Sequence, residues 1–145
     1  MKIGEKIVAT SLAGDFTIPK DINQKLVFIA GGIGITPFRS IVKYMIDAHE
    51  KRDVVLFYSN KTSDEVVYKN VFDGGVNVGV KTVYVATSTD GRIDSNMIKK
   101  QVPDFNERMF YLSGPHLMVT AFEDVLSEMG IAKNKIKIDY FPGFA

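Results

Sequence analysis

Five short runs of β-branched, aromatic and aliphatic residues punctuate the chain: Leu26 to Ala30, Val54 to Tyr58, Lys81 to Ala86, Met109 to Leu112 and Ile136 to Tyr140. The spacers carry apolar residues at helical intervals. Phe38, Ile41, Val42, Met45 and Ile46 make one stripe, and Leu117, Met118, Ala121, Phe122, Val125, Leu126 and Met129 make another, each the mark of an amphipathic helix. Strands alternating with helices predict an α/β fold with a five-stranded parallel sheet and helices on both faces. The first, second and fourth runs are almost continuously apolar, which predicts strands covered on both sides.

Local signals predict where the helices start and stop. Thr62-Ser63-Asp64-Glu65 reads as a capping box opening the second helix, and Gly74-Gly75 as its left-handed C-cap. Asp94 is a suitable N-cap for a shorter third helix that must end before Pro103, and Gly130 closes the fourth. Gly4, Gly14 and Pro19 punctuate a weakly apolar beginning without a helical stripe, so residues 1–20 read as a strand or two and a linker. Fixed-period repeats and low-complexity tracts are absent from the sequence.

Composition narrows the function classes. The chain has 145 residues, the size of one domain. Eighteen basic and seventeen acidic residues leave a net charge of +1, which argues against whole-chain nucleic-acid binding and a polybasic membrane anchor. The aromatic residues lie on apolar stripes instead of alternating with basic ones, against a nucleic-acid platform. Cysteine is absent, so disulfides, thiolate metal sites and a cysteine nucleophile are excluded. Apolar runs fall short of the roughly 20 residues of a spanning helix, and Met1-Lys2-Ile3-Gly4-Glu5-Lys6 lacks a signal-peptide core. A soluble, cytoplasmic protein is expected. The two histidines, His49 and His116, stand 67 positions apart without acidic partners at ligand spacing, so no metal site is expected. A Gly-x-Ser-x-Gly elbow is also lacking.

The chemistry-bearing segment follows the first run. Gly31-Gly32-Ile33-Gly34-Ile35-Thr36-Pro37 links a strand to an amphipathic helix. Glycines allow positive φ and close approach of a ligand to the backbone, and proline suits the first helical turn. Free N–H groups and the positive end of the helix dipole then favour an anion such as a pyrophosphate. The spacing matches neither G-x-G-x-x-G nor the P-loop. A tight structural turn is the competing reading, weakened by its position where open α/β sheets hold ligands.

Several motifs together resemble the ferredoxin–NADP reductase superfamily, specifically its C-terminal pyridine-nucleotide domain. Gly31 to Pro37 resembles the pyrophosphate loop of that family. Tyr111-Leu112-Ser113-Gly114-Pro115-His116-Leu117-Met118 resembles its Cys-Gly-Pro-x-x-Met segment, with Ser113 at the cysteine position. Ser59, Asn60 and Lys61 lie where the family holds the adenosine ribose, and Asp139-Tyr140-Phe141 resembles its carboxylate-x-aromatic ending. The resemblance implies a strand order 3-2-1-4-5 and an NAD(P)-binding domain over residues 21–145. Residues 1–20 are then a remnant strand and linker from a flavin-binding domain, with Gly14 to Pro19 resembling the handover segment. The flavin motif Arg-x-Tyr/Phe-Ser/Thr has no counterpart at Arg39, Arg52, Arg92 or Arg108.

The resemblance also implies roles. NAD(P)H would lie along Gly31 to Pro37, Ser59 to Lys61, Gly114, Pro115 and Met118. Ser113, Asp139 and Phe141 would serve hydride transfer to FAD or FMN held by a flavin-binding domain or subunit. Electrons would continue to an acceptor such as an iron–sulfur or haem protein, and the isolated chain would be inactive. Phe144 competes with Phe141 for the aromatic role, and an apolar patch of Tyr140, Phe141 and Phe144 is expected where the flavin domain docks. Ser59, Asn60 and Lys61 leave NADH against NADPH open, with a lean to accepting either. The alternative is a non-catalytic nucleotide-binding or regulatory module that docks on a partner protein.

Overall fold

A computed structural model describes residues 14–141; Phe144 and residues 1–13 lie outside the described residues. Each expected run becomes a strand one to three residues longer than the apolar pattern: β1 (Leu26–Gly31), β2 (Val54–Asn60), β3 (Val80–Ala86), β4 (Met109–Pro115) and β5 (Ile136–Phe141). Four helices alternate with them: α1 (Ile35–Asp47), α2 (Lys69–Gly74), α3 (Ser95–Gln101) and α4 (His116–Glu128). The strands pair in parallel in the order β3-β2-β1-β4-β5, the order that the motifs imply.

Period-two alternation divides the core into two layers. Leu26, Phe28, Tyr58 and Tyr111 meet Phe38, Val42 and Met45 of α1 and Phe72 of α2. Val27, Ile29, Phe57 and Leu112 meet Ile98 of α3 and Val119, Phe122 and Leu126 of α4. Phe28 stacks on Phe38 at 4.6 Å and meets the edge of Tyr111 at 5.4 Å, geometries that add roughly 0.5–1.5 kcal/mol per pair beyond burial.

Residues 15–21 form a strap across the α1 layer. Phe16 packs on Phe38 and Tyr111, with ring centroids 5.7 and 5.3 Å away. The Tyr111 hydroxyl donates to the Thr17 carbonyl at 2.8 Å, and Lys137 Nζ donates to the carbonyls of Asp15 and Thr17. Buried Arg52 donates to the carbonyls of Pro19 and Asp21 and pairs with Glu50. A second buried arginine, Arg108, is fixed by two bonds each to Asp53 and Asp104. Both arginines sit at the N-terminal ends of the strands.

Asp94 caps α3, its carboxylate accepting from Met97 N at 2.7 Å. After α4, Gly130 at φ 82° donates to Ser127 and Ile131 to Leu126, the paired bonds of a Schellman closure. Elsewhere the structure corrects the expected boundaries. Thr62 to Glu65 opens only a 3₁₀ turn, Ser63–Glu65; Val66 returns to extended backbone, and α2 starts after Tyr68, whose φ is 56°. Gly74 and Gly75 are right-handed, and the left-handed residue is Gly79 at φ 88°. Glycine at 75 serves packing instead, since a Cβ there would lie 3.1 Å from side-chain carbons of Val42 and Val80. Ser113-Gly114-Pro115 is the paired end of β4 and leads directly into α4. Leu117, expected on the buried stripe of α4, is 84% exposed, and Val119 is buried instead, because β4 runs without a loop into α4 and leaves its first turn beyond the sheet edge.

Candidate functional site

The C-terminal ends of β1, β2, β4 and β5 converge on one edge. Register places Gly31 opposite Ser59, Ala30 opposite Ser113, Ser113 opposite Asp139 and Pro115 opposite Phe141. These pairings bring together positions far apart in sequence, because the strand order reverses on either side of β1.

Beyond Gly31 the chain makes one 3₁₀ turn, Gly32–Gly34, and enters α1 directly. The opening N–H groups of such a turn have no partner within it, and the dipole of α1 adds positive potential there. Thr36 Oγ1 donates to the Ile33 carbonyl at 3.1 Å. The three glycines differ in what surrounds them. Gly32 has φ 51°, and a Cβ there would meet nothing within 4 Å, so its backbone faces open space. At Gly34 a Cβ would fall 2.1 Å from the Ser113 carbonyl oxygen. At Gly31 and Gly114 it would fall 2.2 and 2.5 Å from atoms of the Met118 side chain. Gly31, Gly34 and Gly114 therefore let β1, β4 and α4 close on one another, a packing role that sequence reading does not separate from ligand access. Ile33 is exposed, whereas Ile35 is fully buried beneath the loop.

A cleft of about 550 Å³ opens beside this turn on the α4 side of the sheet. Ile93, Met118 and Phe122 give it apolar walls, and Ser59, Lys61 and Arg92 give it polar ones. Thr87, Arg92 and the exposed Leu117 line it without having been singled out from sequence. Gly91, immediately before Arg92 and shortly after β3, is the signal that marks this loop.

Ser113, Asp139 and Phe141 belong to the other face. Tyr111 lies in the α1-side core and Lys137 Nζ stands 5.8 Å over its ring, so residues two and four further along β4 and β5 share that side. Ser113 is fully buried, and its hydroxyl has no hydrogen-bond partner. Tyr140 points to the α4 side, where its ring meets His116 edge-on at 4.8 Å. Ile138, Tyr140 and Phe141 are exposed along β5. Among the described residues no group of three His, Cys, Asp or Glu side chains is placed to hold a metal. No helix among them is long and apolar enough to cross a membrane.

Residues 28–124 match the family model described as the oxidoreductase NAD-binding domain. A flavohemoprotein of Oceanobacillus iheyensis is 29% identical over 97% of this chain and 37% of its own length. The reductase component of propane 2-monooxygenase from Rhodococcus jostii is 26% identical over 97% of this chain and 42% of its own. Among solved structures, the flavohemoglobin of Malassezia yamatoensis with bound FAD and heme superposes with a TM-score of 0.74 at 27% identity, covering 89% of this chain and 35% of that one. The chain thus spans well under half the length of these relatives.

Proposed function

The chain belongs to the oxidoreductase NAD-binding domain family, within the ferredoxin–NADP reductase superfamily, and we propose that it positions NAD(P)H for hydride transfer to FAD or FMN carried by a flavin-binding domain or subunit. One juxtaposition carries this reading: the open Gly32 turn at the start of α1 lies between the cleft and the Ser113–Asp139 pair. When bound, the nicotinamide supplies a hydride and the flavin accepts it.

The residues fit a dinucleotide. Gly32 and the first N–H groups of α1 offer donors and positive potential to a diphosphate, and Ser59, Asn60 and Lys61 form the polar side of the cleft. Ser113 offers a buried hydroxyl with no partner in the protein, and Asp139 stands opposite it in the sheet. The protein contributes position and orientation. Phe141, exposed on the face shared with Asp139, offers an aromatic surface to the flavin. The strap supports a flavin domain on this side. It runs from Tyr111 and Lys137, which hold Thr17 and Asp15, down to Arg52, which holds Asp21, so its Asp15 end lies nearer the edge that carries Ser113 than its Asp21 end does.

Onward transfer to an iron–sulfur or haem protein agrees with the kinds of relative found. The reading puts the domain in the cytoplasm, as its cysteine-free sequence allows.

Calorimetric titration of the purified chain with NADH and NADPH tests the proposal, beside Gly32→Asp, which sets a carboxylate in the open cradle at a φ that aspartate tolerates better than most residues. The expected result is binding by the wild type that the variant loses, and no flavin absorbance in the purified chain. A folded wild type that binds neither nucleotide would overturn the reading, and visible flavin bands would overturn the assignment of flavin to a separate domain.

A further inference from the structure

The two outer strands of the sheet treat their free edges differently. At the end of β3, Ala86 N donates to the Asp90 carboxylate at 2.8 Å, and the Ala86 carbonyl accepts from Thr89 N and Asp90 N. The turn after that strand therefore folds over its edge, a common protection of an outer strand. Along β5, no bond among the described residues reaches the backbone groups of Ile138 or Tyr140 from outside the sheet.

The neighbouring strands fix which groups β5 turns outward. Met109 N donates to the Lys25 carbonyl, so odd-numbered residues of β4 aim their N–H and C=O groups at β1, and even-numbered ones aim theirs at β5. Phe110 lies opposite Ile136. The odd-numbered residues of β5 return the bonds from β4, and Ile136, Ile138 and Tyr140 face the free edge. Ile136 N is spent on the Lys133 carbonyl, which leaves the Ile136 carbonyl and both groups of Ile138 and Tyr140 open.

Side chains on the same strand divide by face. Ile136, Ile138 and Tyr140 make an apolar row on the α4 side, with Ile138 39% and Tyr140 48% exposed. Lys137 and Asp139 share the opposite face. Among the described residues Asp139 has no ion pair, and Lys137 meets the carbonyls of Asp15 and Thr17 but no carboxylate. An ammonium has three donors, so one of those of Lys137 is left over.

We propose that the free edge of β5 is a self-association surface, on which a second copy of this chain adds antiparallel about a two-fold axis at Ile138. Only even-numbered residues carry open groups, so even must pair with even, and the axis can fall at any position from 136 to 140. An axis at 136 or 137 sets lysine against lysine, one at 139 sets Asp139 against itself, and one at 140 sets Asp139 against Phe141. The axis at Ile138 sets Lys137 against Asp139 of the second copy, and by symmetry does so twice. That pair falls at a non-hydrogen-bonded position, where strands bring Cα atoms to roughly 4.5 Å and side chains closest together. Ile138 exchanges both its bonds with its copy, Tyr140 N donates to the Ile136 carbonyl across the axis, and the apolar rows merge. No residue of β5 lines the cleft, so the pair leaves it open. Asp139 is also the carboxylate opposite Ser113, and the self-paired form is one in which that carboxylate is already engaged.

Sedimentation equilibrium of the whole chain tests this, with Ile138→Lys, Lys137→Glu, Asp139→Lys and an equal mixture of the last two; circular dichroism checks folding. A short edge contact lies at the small end of interfaces, so the wild type should associate in the micromolar range or weaker. Ile138→Lys, which opposes two ammonium groups at the axis, and each single charge reversal should weaken association on the order of tenfold. The mixture should regain it as a heterodimer, because glutamate at 137 then faces lysine at 139 and the native pair faces itself on the other side of the axis. Should Lys137→Glu fail to fold through loss of its strap bonds, Ile138→Lys and Asp139→Lys carry the test. A wild type that stays monomeric into the millimolar range overturns the proposal, as does association that Ile138→Lys and Asp139→Lys leave unchanged. Folded single variants whose mixture stays monomeric overturn the register, and the proposal with it.

Discussion

Gly34 rests against the carbonyl of Ser113 so closely that a β-carbon would lie 2.1 Å from the oxygen. The contact fastens the turn after β1 to the end of β4, and the nearest atoms are all backbone, with no flexible side chain to yield. We expect Gly34→Ala to cost about 2–3 kcal/mol in urea unfolding, at the upper end of overpacking penalties. Gly32→Ala meets no atom and should cost only about 1–2 kcal/mol for a left-handed alanine. If Gly34→Ala is the milder of the two, the close approach is not what glycine at 34 provides. Loss of nucleotide binding in a Gly34 variant would therefore report on fold as much as on contact.

The orphaned hydroxyl of Ser113 sets stability against chemistry. Removing a buried, unpaired polar group relieves part of a penalty of about 1–3 kcal/mol. Ser113→Ala should leave the unfolding midpoint unchanged or raise it. In an assembly that includes the flavin domain it should slow hydride transfer, read as the pre-steady-state rate of flavin bleaching. A marked fall in stability would mean that the hydroxyl has a partner inside the protein.

Arg108 ties three strands at the edge away from the site, through Asp53, Asp104 and the Leu26 carbonyl. Arg108→Met should destabilise by roughly 2–4 kcal/mol, below the figure for a fully buried pair because Asp53 is half exposed. Denaturant titration at neutral pH checks this, and nucleotide affinity of the folded variant should be unaltered.

Acid should erode the same cluster. Hydrogen bonds from Arg108, aided by Lys25, hold the Asp104 carboxyl at about 2, below its ordinary 3.8. A carboxyl depressed on folding contributes its stability in full above the ordinary value and loses it as pH falls through the folded one. The contribution should therefore fade between about pH 4 and pH 2, and Asp104→Asn should flatten that part of the stability profile. An identical acid profile for the variant would exclude Asp104 as a contributor.

Tyr111 is held above the usual phenol range, pushed up to about 12 chiefly by burial. Burial and the bond to Asp73 also push Tyr84 up, so spectrophotometric titration should find two tyrosines that stay neutral well past pH 10, and Tyr111→Phe should remove the earlier part of that late component. The same variant loses the bond to Thr17 and should cost about 0.5–1.5 kcal/mol.

The sheet was legible because a strand covered on both faces must be apolar throughout: Phe28, Leu56 and Tyr111 declare themselves without alternation. Helix ends written in side-chain chemistry were legible too, as at Asp94 and Gly130. What sequence could not resolve was the job of each glycine. Gly31, Gly32 and Gly34 look alike in a motif, yet one faces open space and two face another chain segment. Arg92 was hidden for a related reason. It reaches the cleft through the turn at Gly91 and the pairing of two strand ends, neither of which leaves a local pattern. Leu117 shows the reverse error, in which helical periodicity predicts burial that the sheet edge cannot supply.

The strap along residues 15–21 bears on how this unit can be cut. Truncation at residue 21, where the linker reads as ending, would strip Phe16 from two aromatic rings and leave the Tyr111 hydroxyl, the Lys137 ammonium and part of the Arg52 guanidinium without the carbonyls they now hold. An excised fragment must therefore begin no later than Asp15, since the segment that reads as a connector is energetically a sixth edge of the fold.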